Sequence, residues 1–91
     1  METQTIERTA LSNLIYNEDY TRKVLPFIKG NYFEVREERI IFEEIFNFVD
    51  KYKKIPTQTS LEIEVGERKD LSEIEYKKVV DIIKTLDPVE E

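Results

Sequence analysis

The sequence predicts an all-α fold, a compact bundle of about five helices with a long central third helix. Three observations carry that prediction. Apolar residues recur three and four apart along nearly the whole chain, and only two Gly and three Pro interrupt them. The stretches "TSLE" and "SEIE" have the Ser/Thr-x-x-Glu form, in which hydroxyl and carboxylate cap a helix start reciprocally.

The first helix is expected from about Thr5 to Tyr16, with Ile6, Ala10, Leu11, Leu14 and Ile15 on one face and Asn17 as its stop. Asp19 can cap a short second helix carrying Tyr20, Val24, Leu25, Phe27 and Ile28. Pro26 has no N–H to donate and should kink or divide it, and Gly30 suits a left-handed C-cap. The third helix is expected from about Val35 to Lys53. Glu34, Glu37 and Glu38 stand at its positive end and Lys51, Lys53 and Lys54 at its negative end, as the helix dipole favours. Thr59 and Glu62 form a capping box opening a short fourth helix that ends at Gly66. Ser72 and Glu75 do the same for a fifth, with Leu71 able to staple onto Tyr76. Tyr76, Val79, Val80, Ile83 and Leu86 form its buried stripe, and Pro88 follows its end. Residues 1–86 read as one helical domain and residues 87–91 as a fraying tail or the start of a linker.

Composition narrows the function classes. A chain of 91 residues buries only roughly 60 to 65 % of its unfolded surface, so help from a partner subunit would be unsurprising. The absence of Cys and His removes thiol chemistry, an imidazole base and an ordinary zinc site, so no metal ligand set and no cofactor are expected. With 20 acidic against 14 basic residues, a net charge of −6 disfavours general nucleic-acid binding. No apolar run approaches the roughly 18 residues of a membrane span, and the N-terminus lacks a signal-peptide core. The sequence therefore reads as a soluble, cytoplasmic protein without a membrane partner.

Candidate sites concentrate in the third helix. At 100° per residue, Ile41, Phe42, Ile45, Phe46, Phe48, Val49 and Tyr52 cover an arc of about 160°, wider than a surface helix needs, and Ile40 falls outside it. Either this is a central helix with Ile40 a tolerated surface residue, or one flank, near Phe46 and Phe42 or around Ile40, meets another chain. The pairs Glu37/Glu38, Glu43/Glu44 and Glu62/Glu64 read as solvated acidic faces, since adjacent helical residues point about 100° apart. No catalytic residue is assigned. Lys51 to Lys54, "KYKK", suits a helix C-terminus better than a phosphate site. Tyr16, Tyr20, Tyr32, Tyr52 and Tyr76 are scattered and expected at the core edge with their hydroxyls in water. No phosphate-binding glycine loop occurs.

The order "IERTALSNLIYNEDY", "NYFEVREERIIFEEI" and "IPTQTSLEIEV" resembles the N-terminal domain of hexameric DnaB-type replicative helicases, especially their T4-type phage relatives. The matching positions are Leu11, Leu14 and Ile15, then Phe33 at a loop and Arg36 and Arg39 at a helix start. Ile41 and Phe42 lie within that helix, and Pro56, Thr59 and Leu61 at the step into the next. Thr57 and Gln58 stand where the family often has an Asp after the Pro, and Ser60 where a Thr commonly precedes the Leu. The resemblance implies a non-catalytic head that helps form the collar of a hexameric ring, meets other copies of itself, and docks primase or a helicase loader. ATP and Mg belong, by the same resemblance, to a RecA-like motor that these residues do not contain. The sequence alone also leaves open a stand-alone acidic phage protein that regulates a host or replication protein.

Overall fold

The computed structural model describes residues 2–29 and 32–86, and the side chains of the first helix from Glu7 onward. Gly30, the side chain of Ile6, Pro88 and the tail expected at residues 87–91 lie outside the described residues. Among the described residues the order is α1 (Glu2–Tyr16), α2 (Glu18–Val24), a 3-10 turn (Leu25–Phe27), α3 (Arg36–Tyr52), α4 (Gln58–Gly66) and α5 (Glu73–Thr85), with no strand.

The first corner is built by two short polar residues. Asn17 is extended, and its side chain accepts from the Tyr20 N–H at 3.0 Å, so Asn17 both stops α1 and caps α2. Asp19 is thus not the cap; it lies in the first turn with Glu18, where negative charge suits the dipole. Thr21 is buried and donates to the Leu14 and Asn17 carbonyls, at 2.7 and 3.0 Å, which fixes α2 against the end of α1. At Pro26 the α-helix gives way to the 3-10 turn, as a residue without an N–H requires. Leu25 is buried there, whereas Phe27, also expected in the second helix, is 81 % exposed.

Val35 precedes α3 without a side-chain cap, and Lys53 ends it in the left-handed conformation at φ 61°, donating to the Val49 carbonyl at 2.8 Å. Helix α4 starts two residues before the expected box. The N-cap is Thr57, which accepts from the Ser60 N–H at 3.0 Å, so the Thr59/Glu62 box does not form. The extended backbone after buried Pro56 presents the Thr57 hydroxyl first. Gly66 is the last residue of α4, and the Tyr76 ring lies over it. The Ser72/Glu75 capping box of α5 is present in both directions, at 3.1 and 3.2 Å.

Helix α3 lies at the centre, packed by α1 on one side and by the antiparallel pair α4 and α5 on the other. That pair is closed at one end by Gly66 against Tyr76 and at the other by the Gln58 amide, which donates to the Ile83 and Leu86 carbonyls at 2.8 and 2.7 Å. The Tyr16 hydroxyl, expected in water, also donates to the Leu86 carbonyl, at 3.2 Å. The core contains Leu11, Leu14, Phe33, Ile41, Ile45, Leu61, Val65, Val79, Ile83 and Leu86, all nearly or fully buried. In α5, Val79, Ile83 and Leu86 form the buried stripe, Ile82 packs beside it, and Tyr76 and Val80 stand at its margin.

Candidate protein-contact site

Of the flank residues Ile40, Phe42 and Phe46, the fold buries two. Ile40 is 4 % exposed rather than a surface residue, Phe42 is equally buried, and Phe46 is 42 % exposed. The buried face of the first half of α3 runs from Ile40 through Glu44, Ile41, Ile45 and Glu38 to Phe42, about 200° at about 100° per residue. Arg8 of α1 meets Glu38 near one edge, and Arg68 from the α4–α5 loop meets Glu44 near the other. Cover on both sides explains why Ile40 is inside. Toward the C-terminus this cover ends, and Phe48, Val49, Phe46 and Tyr52 come partly into water.

The carboxylates follow the same geometry. Glu38 and Glu44 are buried, not members of solvated acidic faces. Burial holds the Glu44 carboxyl above its ordinary range against the opposing pull of Arg68, whose Nη1 lies 2.8 Å from it. Arg68 also forks onto Asp70, at 3.0 and 2.9 Å, and is held more firmly protonated, first by that bond. The same fork lowers the Asp70 carboxyl. No sequence spacing marks Arg68 for this role, because two of its three partners, Glu43 and Glu44, lie 25 and 24 residues earlier. Among the described residues no group of three or more His, Cys, Asp or Glu side chains is placed to hold a metal.

Of the positions on which the sequence resemblance rests, most lie in or against the core and two lie at the surface. Phe33 is fully buried, its ring centroid 5.3 Å from that of Phe42. Its carbonyl accepts both Nε and an Nη of Arg39, at 3.2 and 3.1 Å. Arg36 instead pairs at the surface with Glu75 of α5, at 3.3 Å. Ile41, Leu61 and Pro56 are buried, and Thr59 is exposed. These residues join the loop, α3, α4 and α5.

Phe46 opens onto a cleft of about 290 Å³ between α2 with its 3-10 turn and the C-terminal half of α3. Leu25, Pro26, Phe46, Val49 and Ile55 form its apolar wall. Glu18, Arg22, Asp50, Lys53 and Lys54 form a charged lip, with Glu18 and Arg22 paired one helical turn apart at 3.0 Å. The rings of Phe33, Phe42 and Phe46 stand in series, with Phe42 and Phe46 6.3 Å apart, so the exposed ring is backed by the core. The wall offers apolar area and the lip offers charges of both signs, a chemistry suited to another protein surface.

The described residues form a small all-helical domain with an apolar-walled cleft at Phe46. Its sequence matches the family model of the DnaB-like helicase N terminal domain over residues 1–89, and the chain belongs to that family. It is 32 % identical over 76 residues to the DnaB-like replicative helicase of Enterobacteria phage T4, an alignment covering 84 % of this chain and 16 % of that relative. The chain therefore spans about one sixth of the length of that helicase. No solved structure matches it.

Proposed function

We propose that this domain serves assembly and docking in a phage replicative helicase, meeting further copies of itself in the collar of a ring and offering a surface to primase or a loader. In this reading the chain is not itself an enzyme. ATP, Mg and the unwinding motor belong with the part of such helicases that the alignment does not cover, and the site of action is the cytoplasm of an infected bacterium. The observation that carries the reading is the cleft at Phe46, an apolar wall left open on an acidic family member. Exposed apolar area of this kind marks contact surfaces between proteins. No helix among the described residues is long and apolar enough to cross a membrane.

The occupant we assign to the cleft is a second copy of the domain. Sedimentation of the chain at several concentrations tests this, with Phe46→Glu as the variant. The parent is expected to self-associate and the variant to remain monomeric with unchanged helicity by circular dichroism. Moderate salt should tighten the association, because it screens repulsion between copies that each carry −6. A parent that stays monomeric at every concentration would sink the self-contact. Tight binding to a basic partner that weakens with salt would instead favour the acidic-regulator reading.

A further inference from the structure

The contact between α1 and α3 encloses two carboxyl groups and one guanidinium. Glu38 is fully buried and Glu7 is 3 % exposed. The Nε of Arg8 donates to Glu38 Oε2, and the Arg8 side chain keeps 40 % of its surface in water. Glu7 Oε1 and Glu38 Oε1 are both buried without a hydrogen-bond partner among the described residues. Two ionised carboxylates against one cation would leave an uncompensated negative charge in the interior, the costliest kind of buried group.

The charges on the surrounding elements are engaged elsewhere. Arg36 faces Glu75 of α5, Arg68 of the α4–α5 loop binds Glu43, Glu44 and Asp70, and Arg22 of α2 pairs with Glu18. The groups acting on Glu38 are Arg8 and Glu7, both from α1.

We propose that a proton on Glu38 bridges to Glu7, forming an acid clasp that docks α1 on α3 and weakens as the pH rises. One proton between the two carboxyl groups supplies the missing donor and brings the trio with Arg8 to zero net charge. Burial, opposed by the Arg8 bond and reinforced by Glu7, holds the Glu38 carboxyl above the ordinary glutamate range. A group whose proton is held more tightly in the folded state contributes stability that is complete below the ordinary glutamate pKa. That contribution is lost as the pH climbs through the raised folded value. Between those limits the unfolding constant should rise about tenfold per pH unit from this proton alone.

Urea unfolding of the full chain, followed by circular dichroism from about pH 4 to about pH 9, tests the clasp through Glu38→Gln. The amide donates permanently where the proton would sit. The variant is expected to lose the roughly tenfold-per-unit component of the slope and to exceed the parent in stability at the alkaline end. The slope from Glu44 remains in both, so the difference isolates the pair. Parallel profiles for parent and variant would overturn the proposal. If Glu38→Gln does not fold, carbon NMR of the unmodified chain decides. A Glu38 carboxyl that keeps its proton well above the ordinary glutamate range supports the clasp, and ordinary titration of Glu38 rejects it.

Discussion

Arg36 and Arg39 stand one helical turn apart at the start of α3 and have different work. The Arg39 guanidinium spans the Phe33 carbonyl with two N–H groups, fixing the loop that delivers Phe33 to the core. Arg36 makes one longer contact with Glu75 and is half exposed. Arg39→Met is therefore expected to cost about 1.5 to 3 kcal/mol, the usual range for a hydrogen bond to a charged group. Arg36→Met should cost no more than about 1 kcal/mol, as exposed ion pairs do. Urea unfolding of the two variants measures the difference; equal losses would show that the Phe33 carbonyl finds another donor. The sequence marks both arginines by pattern, but which of them reaches a carbonyl depends on where the loop returns. The same limit hides Glu38, whose burial is decided by α1, roughly 30 residues away in the chain.

At the scale of the helices, local chemistry reads well and competing local chemistry reads badly. Ser72 with Glu75 gives one self-consistent start for α5, and the helix begins there. In "PTQTS" two threonines compete, and at "NED" an Asn competes with an Asp. In both cases the earlier residue caps, because each lies where the chain is still extended after the preceding element. Thr57→Ala is expected to destabilise by about 1 kcal/mol. Thr59→Ala should stay within about 0.5 kcal/mol, the range of an ordinary surface substitution. Thermal unfolding of the two variants distinguishes them, and a larger loss at Thr59 would contradict the assigned cap. At Pro26 nothing competes: the missing N–H cannot be supplied by context, and the α-helix ends beside it.

Across the whole molecule, the periodicity of α3 indicates a central helix correctly, and the radius of gyration of 12.2 Å agrees with the about 12 Å of a compact chain of this length. The candidate site is only partly legible. Phe46 stands out in the sequence as an apolar surplus, but the opposite wall of its cleft comes from Leu25 and Pro26. No spacing rule links those residues to α3. Ile40 shows the converse: its angle on the helix is readable, but the cover supplied from the α4–α5 side is not.

The carbonyl of Leu86 gathers the Tyr16 hydroxyl from α1 and the Gln58 amide from α4 at the end of α5. Tension applied through the residues that follow Leu86 would therefore be shared with α1 and α4 at that carbonyl instead of falling on α5 alone. Pulling the domain through its C-terminal end in an optical trap, Gln58→Leu should lower the unfolding force while changing equilibrium stability far less. An unchanged force would mean that the load enters the domain by another route.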